Sequence, residues 1–273
     1  MATLYQCPVC GNSLDRKQSQ YCCSHGHSFD IARQGHVNLL LPSHTGSKTP
    51  GDSKEMLQSR REFLEAGYYQ QFSDALNEIA LRVLSPQATS CLDAGCGEGY
   101  YTTRLRKYLE NQGNDLDFYG VDVAKKAVQY AAGRDKKIQF AVASTYHLPF
   151  RDRSMDGILC VFAPRDEAEF ARVLKPEGKL MIAAPGRRHL YSLREQIYSE
   201  PGEIGQKGDV SSFTLAERGK VSYTIQLDTT RDILNLLTMT PYSRHTQVEA
   251  LTRLRGLSRL ETEIDINILV YAR

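Results

Sequence analysis

Two cysteines three positions apart, Cys7 and Cys10, sit in the segment YQCPVCGNSL. Thiols at this spacing either grip a metal from a tight turn or form a redox pair. Further on, YCCSHGHSF supplies Cys23 and His27, and the whole set reads Cys-x2-Cys-x12-Cys-x3-His. A redox pair needs no second Cys/His cluster and usually opens a helix in a βαβ unit, a pattern not found around Cys7. Zinc needs both: one knuckle presents two thiolates and a second segment closes the tetrahedron. The spacing predicts a structural zinc site on Cys7, Cys10, Cys23 and His27, with Cys22 and His25 as a competing choice for the second pair. The first register leaves Phe29 and Ile31 to pack beneath. Four protein ligands leave no open position, so this metal is assigned no catalytic role.

A second constellation lies in ATSCLDAGCGEGYYTTRLRKYL, where Asp93-x-Gly95-x-Gly97-x-Gly99 follows a short apolar strand and precedes a helix. A strand, a glycine turn and a helix N-terminus let backbone approach a nucleotide-like ligand. A dinucleotide fingerprint requires G-x-G-x-x-G, but position 100 is Tyr and the third glycine comes one residue early. The early glycine and the acid opening the turn fit the loop that holds S-adenosylmethionine in class I methyltransferases. A second strand, DFYGVD, ends at Asp122, 23 residues beyond Gly99. A strand-end carboxylate at that distance can grip ribose hydroxyls; it can also cap the next helix. Ser144 and Thr145, in the loop of IQFAVASTYHLPF, are placed to edge an adenine.

The elements that carry these residues alternate. After Asp122 come a helix, a third strand, the strand SMDGILCVFAP, and EFARVLKPEGKLMIAAPG as helix, Lys-Pro-Glu-Gly turn and fifth strand. Alternation implies a parallel sheet with ligands at the C-terminal strand ends. RLETEIDINILVYAR reads as a long strand in a terminal antiparallel pair, and DSKEMLQSRREFLEAGYYQQFSDALNEIALRVL as one or two capped helices. Residues 42–53 hold two Pro, two Gly and five Ser/Thr, which is linker chemistry. The expected division is a zinc module at 1–41, a linker at 42–53 and a second domain at 54–273. The longest apolar runs are strand-length, which argues against a membrane span. No basic-then-apolar leader opens the sequence, so a cytoplasmic location is expected, where seven cysteines stay reduced. The net charge of +2 names no partner, although the first 61 residues carry seven Lys/Arg against four Asp/Glu.

Leu-Asp-Ala-Gly-Cys-Gly-Glu-Gly, Gly-Val-Asp, Leu-Pro-Phe and Leu-Lys-Pro-Glu-Gly, in that order, resemble the class I methyltransferases over residues 93–186. The implied fold is α/β: a Rossmann-like, mostly parallel seven-stranded sheet with a small N-terminal zinc-binding domain. The flanking GHSFDIARQGHVNLLL, PGDSKEMLQSRREFLEAGYY, APGRRHL and LLTMTPY, with the Cys-Pro-x-Cys knuckle, resemble the bacterial 23S ribosomal RNA (guanine-N1)-methyltransferases over nearly the whole chain. That resemblance implies methylation of a guanine in a hairpin loop of 23S rRNA by a homodimer. It also implies zinc on Cys7, Cys10, Cys23 and His27, and cofactor contacts at Tyr69, Gly97, Glu98 and His189. Read without it, Tyr68 and Tyr69 fit cofactor capping and core packing equally well, and His189 fits a helix start.

Arg16, Lys17 and Arg33 could grip RNA phosphates, with Arg60, Arg61, Arg187, Arg188 and Arg194 extending a basic surface over the cleft. The catalytic base stays unassigned: Asp156 lies within a strand, and Asp166 and Glu167 fit a helix start. Cys160 reads as core, and VFAP is not the Asn/Asp-Pro-Pro-Tyr box of amino-nitrogen methyltransferases. Two rival readings stand beside the first. One is a small-molecule methyltransferase, for a quinone precursor for example; the other is a non-catalytic, zinc-containing RNA-binding protein.

Overall fold

The computed structural model describes residues 2–44, 51–205 and 210–273. Residues 45–50, half of the expected linker, lie outside the described residues. The described strands form two sheets. The smaller holds β1 (Ala2–Gln6), β2 (Ser13–Lys17), β3 (Gln20–Cys22) and β4 (Ser28–Asp30), each antiparallel to the next. Its inward residues Leu14 and Tyr21 are buried, while Arg16 and Lys17 face solvent.

The larger sheet begins with β5 (Val37–Asn38). Two helices follow, α1 (Lys54–Glu65) and α2 (Gln70–Val83). Ser53 caps α1, its hydroxyl accepting from the Met56 amide. Then β6 (Ser90–Ala94), α3 (Tyr100–Asn111), β7 (Asp117–Asp122), α4 (Lys125–Arg134) and β8 (Gln139–Val142) run in alternation. Next come β9 (Met155–Val161), α5 (Glu167–Val173), β10 (Leu174–Pro185) and α6 (Tyr191–Ile197). The chain closes with β11 (Thr214–Leu227), α7 (Thr230–Thr238), α8 (Val248–Gly256) and β12 (Leu260–Ala272).

The strand order is β11-β12-β10-β9-β6-β7-β8-β5, parallel from β10 to β5, with β12 antiparallel to both its neighbours. Every residue of β6 is buried, as a parallel strand covered on both faces requires. Six of these strands are those the sequence locates, and β11 is the unplaced partner that the expected terminal antiparallel pair requires. The eighth, β5, is too short to carry a periodic signal, and pairs Val37 with Ala141 and Asn38 with Val142. Lys-Pro-Glu-Gly is a register break inside β10, between Leu174 and Lys179, rather than a turn ahead of the strand.

The two sheets share one apolar core. Tyr5 is fully buried there, its ring 5.5 Å from Tyr21, 5.4 Å from Tyr119 and 5.1 Å from Phe150. Its phenol donates to the Gln139 carbonyl at 3.0 Å, and the Gln6 amide donates to the Pro149 carbonyl at 2.8 Å. Burial without a lost hydrogen bond makes such a contact stabilising.

Candidate cofactor pocket and metal centre

At the N-terminal end, two tight turns bring four ligand atoms together. The Gly11 amide donates to the Cys7 carbonyl at 2.8 Å and the Gly26 amide to the Cys23 carbonyl at 3.1 Å. Both glycines have positive φ, so each knuckle can close without a Cβ clash. The ligand atoms of Cys7, Cys10, Cys23 and His27 lie within 4.8 Å of one another. Cys10 and Cys23 sulfurs are 3.7 Å apart, and His27 Nδ1 is 3.5 Å from the Cys7 sulfur and 3.4 Å from that of Cys23. A zinc tetrahedron with Zn–S of ~2.3 Å and Zn–N of ~2.05 Å has S–S edges of about 3.8 Å and S–N edges of about 3.6 Å. The donor set and its dimensions therefore fit zinc. Cys22 and His25 lie outside this cluster.

The glycine turn joins β6 to α3. Gly95, Gly97 and Gly99 all have positive φ, and two are also demanded by packing. A methyl at Gly95 would strike Ala163 Cβ at 2.3 Å, and one at Gly99 would strike Ala131 Cβ at 2.8 Å. At Gly97 a methyl would meet only Arg60 Nη1, at 3.8 Å. Asp122 ties the turn down: one oxygen accepts from the Gly97 amide at 3.0 Å, the other from the Ala124 amide at 2.8 Å. The helix-cap alternative is not what forms, since Ala124 occupies the N-cap of α4. Burial raises the Asp122 pKa, partly offset by these amides. Asp93 is buried beneath the turn and accepts from the Thr102 hydroxyl at 2.5 Å. Its other oxygen has no partner, and burial pushes its pKa up to about 7. An orphaned buried acceptor beside a glycine turn suits a ligand rich in donors, and S-adenosylmethionine offers an ammonium, an amine and hydroxyls.

The Glu98 side chain is buried and forms an ion pair with Arg134. Ser144 and Thr145 are buried just beyond β8, where the Ser144 hydroxyl accepts from the Tyr146 amide at 3.1 Å. His147, two residues beyond Thr145, stacks on His44 at 4.2 Å, so the segment leading from β5 lies against this loop.

Tyr69 and His189, 120 residues apart, meet at 3.2 Å between Oη and Nε2. The Asp265 amide donates to His189 Nδ1 at 3.2 Å. Nδ1 is therefore an acceptor, Nε2 carries the proton and donates it to Tyr69, and the phenol proton is free for another partner. Burial lowers the His189 pKa to about 4 and raises that of Tyr69. With both nitrogens engaged, His189 is no proton acceptor. The loop holding it is strapped to β12: the Gly186 amide donates to the Asp265 carbonyl at 2.7 Å and the Arg188 amide to the Asp265 carboxylate at 3.0 Å.

Several residues sit elsewhere than the sequence suggested. Arg194 is buried, not part of a basic surface, and its guanidinium is spent on the carbonyls of His189, Gly202 and Arg187. Asp156 lies at the N-terminal end of β9, the end away from the glycine turn, paired with Lys175 at 2.7 Å. Asp166 caps α5, accepting from the Glu169 amide at 2.9 Å. Cys160 is buried, which pushes its thiol up to about 12 and leaves it a core residue. What sequence reasoning missed is the segment before α1. Gly51, at φ +86°, presses on Ala124, and Asp52 pairs with Arg60 over Gly97. Gly51 is the one local signal that could have pointed to it.

Comparison with known proteins matches two family profiles. One, described as "RlmA, N-terminal" and a zinc ribbon, covers residues 5–48; the other, described as "Methyltransferase domain", covers residues 92–182. A 23S rRNA (guanine(748)-N(1))-methyltransferase of Streptomyces fradiae is 34% identical over 70% of this chain and 67% of its own length. A protein of Micromonospora griseorubida, provisionally named a 23S rRNA (guanine-N(1)-)-methyltransferase, is 35% identical over 93% of this chain and 91% of its own. Among solved structures, YcgJ of Bacillus subtilis aligns with a TM-score of 0.49 at 16% identity, covering 72% of this chain and 97% of that one.

Proposed function

We propose that this chain, which belongs to the 23S rRNA (guanine-N(1)-)-methyltransferase family, transfers a methyl group to N1 of a guanine in a hairpin loop of 23S rRNA. The observation that carries this is similarity at 35% identity spanning both the zinc ribbon and the glycine-turn sheet. S-adenosylmethionine, when bound, supplies a methyl group on a cationic sulfur. Gly95, Gly97 and Gly99 would let backbone approach it, Asp122 would hold its ribose, and Ser144 and Thr145 would edge its adenine. Asp93 accepts from its donors, Glu98 fixes the turn through Arg134, and Tyr69 offers its free hydroxyl proton, held in that role by His189. Much of the rate comes from holding the guanine nitrogen in line with the methyl group.

In this reading residues 1–41 recognise RNA, 42–53 join the parts and 54–273 carry the cofactor, with β5 of the first part pairing into the larger sheet. The exposed Arg16, Lys17 and Arg33 support the first role. A homodimer in the cytoplasm is part of this reading; among the described residues no helix is long and apolar enough to cross a membrane. The small-molecule reading is disfavoured because a relative that spans 93% of this chain is named for 23S rRNA.

Mass mapping of 23S rRNA from cells with and without the gene tests the proposal. An N1-methylguanine present in one and missing in the other is expected. An unchanged rRNA, with methyl groups found only on small molecules, would favour the rival.

A further inference from the structure

We propose that Phe162 is the platform on which the target guanine stacks, an assignment that rests on the rRNA reading above. Phe162 follows the last residue of β9, at the sheet edge where the glycine turn lies. Its φ is +52°, in the left-handed region that residues with a Cβ adopt only at a cost. Its amide donates to the Ala183 carbonyl at 3.1 Å, which holds the backbone in that kink.

The kink turns the ring outward. Phe162 is 42% exposed, while its ring neighbours Tyr69, Phe72 and His189 are buried. The ring lies nearly parallel to the His189 imidazole, 22° between planes at 6.0 Å, with Phe72 at 5.7 Å and Tyr69 at 6.4 Å. It is thus fixed from behind by three rings and open in front. A large apolar ring left half in water, on strained backbone, is poorly explained by stability. A flat π surface that a nucleobase can cover explains both features.

Position in the sheet separates this surface from the adenosine half of the cofactor. The residues assigned to the ribose and adenine, Asp122 and Ser144, end β7 and follow β8, on one side of β6. Phe162 follows β9, on the other side of β6. The two halves meet at the glycine turn, because Ala163 is the residue that a methyl at Gly95 would strike. A base lying on Phe162 therefore stands next to the turn without entering the adenosine half. To reach it the guanine must leave its own stack, as bases in RNA loops do for protein aromatics.

The test uses the full chain, 23S rRNA and radiolabelled S-adenosylmethionine. Phe162→Leu keeps an apolar side chain under the same backbone strain but removes the π face. We expect its kcat/KM for rRNA to fall about 10- to 100-fold, the range seen when a stacking aromatic is truncated. Its calorimetric affinity for S-adenosylmethionine should fall much less than its turnover, because the ring reaches the cofactor only through Tyr69 and His189, while the adenosine residues lie on the other side of β6. Phe162→Tyr should restore most of the turnover. Leu turnover equal to wild type overturns the proposal, and so does cofactor affinity that falls in step with turnover. A wild-type protein that binds the cofactor but leaves 23S rRNA unmethylated overturns the functional reading, and the stacking assignment with it.

Discussion

His189 gives the molecule an acid-sensitive component that can be worked out in advance. Its folded pKa is about 4, against 6.5 for an ordinary imidazole, because burial disfavours the charged ring. Folding thus favours the neutral form, so the contribution is intact above pH ~6.5 and lost as pH falls toward the folded value. The unfolded chain takes up a proton that the native chain refuses. By linkage the loss is about 1.4 kcal/mol at pH 5.5 and about 3 kcal/mol at pH 4. Burial of His189, at 6% exposure, means that little solvent screening reduces this. The perturbation is His189→Gln, which cannot titrate. Urea unfolding of both proteins at pH 8, 5.5 and 4 supplies the stability differences. Zinc-ligand protonation acts on both and drops out of the comparison. The variant should be the less stable at pH 8, since Tyr69 loses a well-placed partner, but the gap should close by about 3 kcal/mol on going to pH 4. A parallel proton NMR titration should find the His189 Hε1 signal on its neutral plateau down to about pH 5. Parallel stability curves, or an imidazole titrating near 6.5, would refute the tautomer and burial argument together.

Two further outcomes follow from the geometry. Gly97→Val puts branched bulk where only Arg60 stands near and where φ is +55°, so cofactor affinity by calorimetry should collapse while the zinc content stays at about one per chain. Tyr5→Ala empties a fully buried aromatic site between the sheets, at about 3–5 kcal/mol by urea unfolding; a loss under about 1 kcal/mol would mean that the zinc ribbon is only loosely attached.

The geometry legible in the sequence is that whose signal lies within a few residues of one turn. Cys7 with Cys10, Cys23 with His27, and the run from Asp93 to Gly99 each encode one local geometry. Strand alternation then fixes which ends share an edge, and that predicts Asp122 beside the glycine turn. Partnerships across long separations left no such trace. Nothing local pairs Tyr69 with His189, or sends Arg194 inward onto three carbonyls rather than out to RNA. Val37–Asn38 is two residues long, so no periodicity betrays the edge strand it forms. Phe162 was legible as an apolar residue, but its outward turn depends on a backbone angle that composition does not encode.

The pairing of Val37 with Ala141 joins segments that leave the ribosome far apart in time. During synthesis the zinc ribbon emerges first and can close around its metal from local contacts alone. Its docking surfaces cannot be satisfied then, because Tyr119, Ala141 and Phe150 lie about a hundred residues downstream. At a translation rate of about 5–20 residues per second, Tyr5 and Val37 stay uncovered for roughly 5–20 s. For that interval the nascent chain carries a finished metal knot with an apolar underside and an unmatched strand. The metal-first half thus becomes the template against which the late-arriving edge of the large sheet is completed.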